Sequence, residues 1–255
     1  MRDGIGKTGL RKILKVVDEA IFPSNIYCIC CGALIDGSRP YSLCDECVRK
    51  FHWNTGRTCN SCGKALPDTY HGDLCYDCMQ HSHYFTKGFS CLTYGLPERE
   101  VLMDFKYNGK GYIGRKFGDI LYDRISCENL KIDVIIPVPI SRARMRKRGY
   151  NQSAVMAKSL AQRMGVAYDE QSLVRVRNTK MLRTLDPAER ELALEGAFKV
   201  EGSALQGKCV LLIDDIMTTG ATADACSKAL LEAGTDSVIF LCLASGGNWK
   251  PERKS

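Results

Sequence analysis

The chain contains eight cysteines at a spacing that occurs twice. Cys28-x2-Cys31-x12-Cys44-x2-Cys47 is followed by Cys59-x2-Cys62-x12-Cys75-x2-Cys78, each member lying 31 residues after its counterpart. Gly32 and Gly63 repeat as well, each directly after the second cysteine of its set. One small unit has been duplicated. A Cys-x2-Cys turn aims two thiolates at one point, and a second such turn completes a tetrahedral shell of the kind that holds structural zinc. A segment this short, rich in Cys, Gly and turn formers, has almost no core of its own, so metal coordination supplies most of its folding energy. Four ligands close each site and leave no position for a reactive water, which makes both zinc sites structural rather than catalytic. The spacing admits two pairings: each repeat binds its own ion, or the repeats exchange ligands in a cross-brace. Sequential pairing is favoured, because a duplicated unit should be self-sufficient.

Nine of the fourteen cysteines fall between residues 28 and 78, so the cysteine content marks a local module and not a disulfide-stapled chain. Outside the two sets of four, Cys30, Cys91, Cys127, Cys209, Cys226 and Cys242 read as ordinary buried or half-buried thiols. On this count His52, His71, His81 and His83 are bystanders, with His71 in reserve should one pair fail.

At 255 residues there is room for one or two domains and a substantial core. The formal charge is +7; eight thiolates remove eight charges and two zinc ions return four, leaving +3. Bulk charge is therefore weak support for a nucleic-acid partner. No apolar stretch is long enough to span a bilayer. Leu10, Ile13, Leu14, Val17 and Ile21 are spaced at helical intervals between charges, unlike the continuous core of a secretory signal. A cytoplasmic location is the expectation.

The layout expected is an amphipathic helix over 1–22, ended by Pro23, the paired metal units over 23–80, an α/β domain over 84–246 and a polar tail over 247–255. Within the α/β part, strands are expected at Phe89–Tyr94, Ile132–Pro137, Cys209–Ile213 and Val238–Ala244. Helices are expected at Pro97–Tyr107, Tyr112–Ile125, Gln152–Met164 and Thr222–Ala233, with a basic loop over 138–150. Strand, loop and helix alternate, so a mainly parallel sheet with a ligand at the carboxyl ends of its strands is predicted.

The string from Val210 to Thr222 carries the chemistry. Val210–Ile213 is apolar enough for the middle of a sheet, and two carboxylates, Asp214 and Asp215, follow at once. Adjacent acids at a buried strand end need a partner, and a ribose diol or a metal-bound ligand would supply one. Thr218, Thr219, Gly220, Ala221 and Thr222 then offer hydroxyls and backbone N–H groups, with Gly220 allowing close approach to a phosphate and a following helix adding its positive end.

This string resembles the phosphoribosyl pyrophosphate signature of type I phosphoribosyltransferases. The resemblance implies that Asp214 and Asp215 hold the ribose hydroxyls, that Met217 to Thr222 wrap the 5′-phosphate, and that magnesium accompanies the pyrophosphate. Ile136-Pro-Val-Pro139, the basic run Arg142 to Arg148, Arg148-Gly-Tyr-Asn-Gln152 and Phe105-Lys-Tyr-x-Gly109 are similar to motifs of the narrower ComF family of competence-related proteins, as are the paired zinc ribbons. Membership of that family implies a type I phosphoribosyltransferase-like α/β fold, a mainly parallel sheet with helices on both faces, preceded by a small zinc-ribbon module. The chain departs from the family where Leu182 and Ala193 replace a Gln and an Asn flanking Leu185 to Arg190.

Residues 141–150 contain Arg142, Arg144, Arg146, Lys147 and Arg148 and no acid, and mutual repulsion predicts a mobile loop. Three readings compete: a solvated loop, a lid over pyrophosphate, or a grip on the backbone of single-stranded DNA with Tyr150, Tyr107 or Tyr112 stacking on bases. Asn151, Gln152 and Lys106 stand beside it as candidates for the same anionic ligand. Two functions follow. One is phosphoribosyl transfer to an acceptor such as a nucleobase, in which the protein stabilises charge without a side-chain nucleophile. The other, supported by the family resemblance, is single-stranded DNA handling during DNA uptake and natural transformation, with a DNA-uptake helicase as partner.

Overall fold

The computed structural model describes residues 25–177 and 192–246. The expected helix over 1–22, Leu182 and the segment Leu185 to Arg190, and the tail lie outside the described residues. The chain divides into two compact units, Met1–Lys50 and Phe51–Ser255.

The first unit is built on the first cysteine set. A 3-10 turn over Pro40–Ser42 precedes the short helix α1, Asp45–Lys50, whose acids Asp45 and Glu46 lie at its amino end and whose bases Arg49 and Lys50 lie at its carboxyl end, matching the helix dipole. The second unit opens with the second cysteine set and a matching helix, α2, Tyr76–Gln80. The two sets agree hydrogen bond for hydrogen bond. Cys28 N–H donates to Ala33 O at 2.8 Å and Cys59 N–H to Lys64 O at 2.8 Å; Gly32 N–H to Cys28 O and Gly63 N–H to Cys59 O are both 2.9 Å. Both glycines take positive φ, +74° and +76°, the left-handed turn that aims the pair of thiols inward.

The rest of the second unit is the predicted α/β domain. In order come β1 (Lys87–Thr93), α3 (Leu96–Tyr107), α4 (Ile113–Ser126), β2 (Val134–Pro137), α5 (Arg142–Arg148), α6 (Gln152–Met164), β3 (Ala167–Tyr168), β4 (Leu173–Arg175), β5 (Phe198–Val200), β6 (Cys209–Met217), α7 (Ala221–Glu232) and β7 (Ser237–Ser245). Among the described residues five strands form one sheet in the order β1-β7-β6-β2-β3, every pairing parallel, while β4 and β5 form a separate antiparallel pair. Parallel sheets are covered on both faces, and the runs Val134–Pro137 and Val210–Ile213 are buried throughout.

Val210, Leu212, Val238 and Phe240 share a core with Cys226 and Leu230 of α7, and with Leu66 and Phe85 from the ribbon side. Helices α4 and α6 cover the other face and approach closely, because a Cβ on Gly114 would lie 2.6 Å from Val155 Cγ1 and one on Gly118 would lie 2.5 Å from Ser159 Cβ. The Asn151 side chain caps α6 through Ser153 N–H at 3.1 Å, and Gly165 closes it in the left-handed region.

Two expectations need correction. The strand expected to stop at Ile213 runs on to Met217, because β7 pairs with it as far as Met217 and Ser245. The segment expected to be a mobile basic loop contains a helix, Arg142–Arg148. The Ser141 hydroxyl caps it by accepting from Arg144 N–H, Gly149 ends it at φ +79°, and cations near its carboxyl end favour the dipole. Mutual repulsion is screened at this exposed surface and local capping wins.

Candidate functional site

The strand order reverses between β2 and β6. From β2 the chain moves outward to β3, and from β6 it moves the other way to β7. A crevice forms where the carboxyl ends of such strands diverge. β2 pairs with β6 as far as Pro137 and Ile213, and Val138 N–H makes a last bond to Ile213 O at 2.9 Å. Asp214 and Asp215 come next. They are held by β7 on one side and released by β2 on the other.

Successive strand residues face opposite ways. Asp214 continues the face of Val210 and Leu212. Its Oδ1 accepts from Ser153 Oγ at 3.0 Å and from Asp215 N–H at 2.8 Å. Burial, and then the neighbouring Asp215, push its carboxyl up to about 7, against the pull of those two donors and of Lys106. Asp215 takes the other face, where Lys106 Nζ of α3 lies 2.8 Å from its Oδ2 with both side chains largely buried. The adjacent acids are expected to need a partner such as a ribose diol or a metal-bound ligand; within the fold itself Ser153 and Lys106 already meet them. Lys106, read as a candidate for an anionic ligand, is buried and engaged with a carboxylate.

Asp214, Ile216, the run Met217–Ala223 and Phe240 line one pocket. Within it Gly220 adopts φ +89° at the head of α7, and Ala221 N–H reaches Thr219 Oγ1 at 3.5 Å. Met217 O accepts from Gly246 N–H at 2.8 Å, which pins the start of the loop to the end of β7. Asp215 does not line the pocket, and neither do the five cations of α5.

Helix α5 stands after the carboxyl end of β2. Arg142, Arg144, Arg146 and Lys147 are exposed, while Arg148 is drawn in: it donates to Gln152 Oε1 at 2.7 Å and to Tyr107 Oη at 3.1 Å. Lys147 and Arg148 lie over the Tyr107 ring at 5.3 and 5.0 Å. Tyr150, considered for base stacking, donates its hydroxyl to Phe105 O. Asn151 Nδ2 donates to Val138 O at 3.0 Å, and Gln152 is buried. Asn151 thereby ties the end of β2 to the start of α6, and Gln152 holds Arg148.

Sequence reasoning missed Ser153 and Arg175. Arg175 of β4 lies over the Phe198 ring at 5.2 Å, and burial followed by the charge of Arg144 pushes its guanidinium down, against the attraction of Cys226 and Asp214. No local pattern marks either residue; only the pairing of distant elements brings them to the acids.

The thiols converge as two sets of four, Cys28, Cys31, Cys44 and Cys47, and Cys59, Cys62, Cys75 and Cys78, the sulfurs of each set all lying within 4.8 Å of one another. Four thiolates about 2.3 Å from one tetrahedral ion would lie about 3.8 Å apart. The sulfurs of Cys31 and Cys44 are 3.7 Å apart, and those of Cys62 and Cys75 are 3.6 Å apart. Equivalent backbone donors point at the sulfurs, Cys44 N–H to Cys28 at 3.4 Å and Cys75 N–H to Cys59 at 3.2 Å. The donor set fits structural zinc, paired sequentially. Among the described residues no helix is long and apolar enough to cross a membrane.

The double zinc ribbon domain family matches residues 17–79, and the phosphoribosyl transferase domain family matches residues 149–255. The chain is thus of the class that joins zinc ribbons to a phosphoribosyltransferase-like domain. Competence protein ComFC of Bacillus subtilis is 30% identical over 199 residues, covering 75% of this chain and 79% of that protein. Competence protein F of Haemophilus influenzae is 27% identical over 227 residues (86% and 97%), and DNA utilization protein YhgH of Salmonella typhimurium is 28% identical over 208 residues (80% and 90%). The chain belongs to the ComF family of competence-related proteins.

Proposed function

We propose that the crevice at the ends of β2 and β6 binds phosphoribosyl pyrophosphate with magnesium, or a related phosphorylated sugar, and that the protein acts in single-stranded DNA handling during DNA uptake and natural transformation. The observation that carries the reading is the acid pair at the point where β2 leaves β6, followed directly by the pocket of Thr218 to Thr222. Asp214 and Asp215 serve the ribose hydroxyls, and Met217, Thr218, Thr219, Gly220, Ala221 and Thr222 serve the 5′-phosphate. Magnesium travelling with the pyrophosphate would neutralise its charge. Arg142, Arg144, Arg146 and Lys147, which no acid accompanies in α5, form the contact for DNA phosphates. The names of the relatives, competence and DNA utilization, support the DNA setting; a cytoplasmic location and a DNA-uptake helicase as partner complete the same proposal. The test is thermal unfolding with phosphoribosyl pyrophosphate and magnesium. Ligand at a hundred times its Kd stabilises a native protein by about 2.7 kcal/mol, and an unmoved Tm would remove the proposal.

A second reading, an active transferase, is favoured by the geometry of the pocket. Asp214 stands in the same pocket as the hydroxyls and N–H groups of Thr218 to Thr222, so fixed charge and dipoles would face a ribose on which charge develops. Pyrophosphate release from the donor across a panel of nucleobases decides it, and no release with any of them ends it.

A further inference from the structure

A buried histidine joins two features that the sequence keeps far apart. His83 Nε2 lies 3.4 Å from Cys78 Sγ of the second cysteine set, and its Nδ1 lies 2.7 Å from Asp224 Oδ2 in the first turn of α7. The side chain is only 5% exposed. Its ring stacks on Phe85 at 4.4 Å, and Phe85 stacks on Phe240 of β7 at 5.4 Å. The main chain repeats the link, since Tyr84 N–H donates to Asp224 Oδ1 at 3.0 Å. Against the ring lies the end of the phosphate loop: a Cβ on Gly220 would stand 2.8 Å from His83 Cε1. The duplication extends to this residue, because 31 residues before His83 stands His52. His52 also meets a carboxylate in the first turn of a helix, Nδ1 to Glu98 Oε1 at 3.1 Å at the head of α3. Neither histidine belongs to the four sulfur ligands of a set, and each holds a carboxylate at the head of a helix.

We propose that His83 is a positioning residue that couples the second zinc centre to the phosphate loop. With metal bound, the Cys78 sulfur is a thiolate, and the ring held between it and Asp224 fixes where Gly220 and the first turn of α7 stand. Partners just outside a metal's ligands orient those ligands and tune the affinity of the site. Coupling of this kind is reciprocal, so whatever steadies the loop also steadies the metal. The consequence for ligand binding rests on the reading of the loop as a phosphate site; the link itself does not.

The test uses the full-length, zinc-loaded chain and follows zinc release to a chelating dye. Release in two phases is expected, one for each centre. His83→Ala should speed one phase by about 10- to 100-fold and leave the other unchanged. Asp224→Asn, which alters no group bonded to a sulfur, should speed the same phase, and the double variant should fall short of the product of the two effects. Amide exchange across residues 217–226 should rise in His83→Ala while both zinc ions are still bound. Wild-type zinc release in His83→Ala, independent effects in the double variant, or unchanged exchange in that segment would each overturn the proposal. In the wild type, phosphoribosyl pyrophosphate with magnesium should slow the same phase, and His83→Ala should abolish the slowing. Absence of any thermal shift with that ligand would defeat the phosphate-site reading alone, while the double-variant comparison would still decide the link.

Discussion

Asp214 and Asp215 are neighbours in a hydrogen-bonded strand, and each has its own answer to the other's charge. For Asp215 the answer is Lys106, and breaking one half of a largely buried pair strands the other half. Lys106→Ala should destabilise the protein by about 3 kcal/mol, a Tm fall of roughly 6–10 °C. With Asp215→Asn added, the loss should be smaller than the two single losses together, as read in denaturant melts. Asp214 behaves differently. Its carboxyl titrates near 7 in the folded chain and near 4 when unfolded, so between about pH 4 and 7 the folded state alone holds the proton. Stability therefore falls as pH rises through that window. Asp214→Asn should be more stable than the parent at pH 8, by up to about 4 kcal/mol, and close to it near pH 4, while losing the ligand-induced thermal shift. The acids themselves were legible in the sequence, residue by residue. Their partners were not, because Lys106 and Ser153 come from helices distant in the chain and carry no local mark of where they will point.

At the scale of elements, runs with a clear period were legible and short ones were not. Helix α6 has the bounds expected, and α3, α4 and α7 differ by a residue or so. The pieces β3, β4 and β5 have two or three residues each, too few to show an alternation. Helix α5 was hidden by its own charge, since its Ser141 and Gly149 caps are single residues beside a run of cations. If α5 meets DNA, replacing Arg142, Arg144 and Arg146 together with Ala should weaken single-stranded DNA binding in filter titrations. It should also make the salt slope shallower by about 2, with the ligand-induced thermal shift unchanged. The two cysteine turns make a matched pair for a second test. Gly32 and Gly63 share a left-handed backbone, but a Cβ at Gly32 meets none of the described residues within 4 Å, whereas one at Gly63 would lie 2.5 Å from Gly88 O. Gly63→Ala should cost about 1–3 kcal/mol more than Gly32→Ala, measured by chemical denaturation of the zinc-loaded protein.

For the whole molecule, sequence likeness and packing divide the ribbons differently. The family match takes both repeats as one module over residues 17–79, while the boundary between compact units falls after Lys50, between the repeats. Cys59, Cys62, Cys75 and Cys78 belong to the same buried cluster as the sheet residues Val238 and Phe240. Ser90 Oγ on β1 donates to Gly63 O at 2.8 Å, and Gly88 N–H to Ser61 O at 2.7 Å. Elemental analysis should find two zinc ions per chain. Stripping them should lower the Tm of the sheet domain itself, and an unchanged domain Tm would show that the second ribbon is ornamental to it. A local spacing pattern cannot reveal this, because repeats of the same spacing acquire different surroundings only when the chain folds. The run of β6 beyond the end of β2 has one more consequence. Its carboxylates are carried on a paired strand, so a sugar binding there as proposed would not have to order them, and their mutual repulsion is met during folding and not at binding. Recognition there should be limited by the short turn from Thr218 to Gly220, and a ligand lacking the phosphate should find the acid pair already in place.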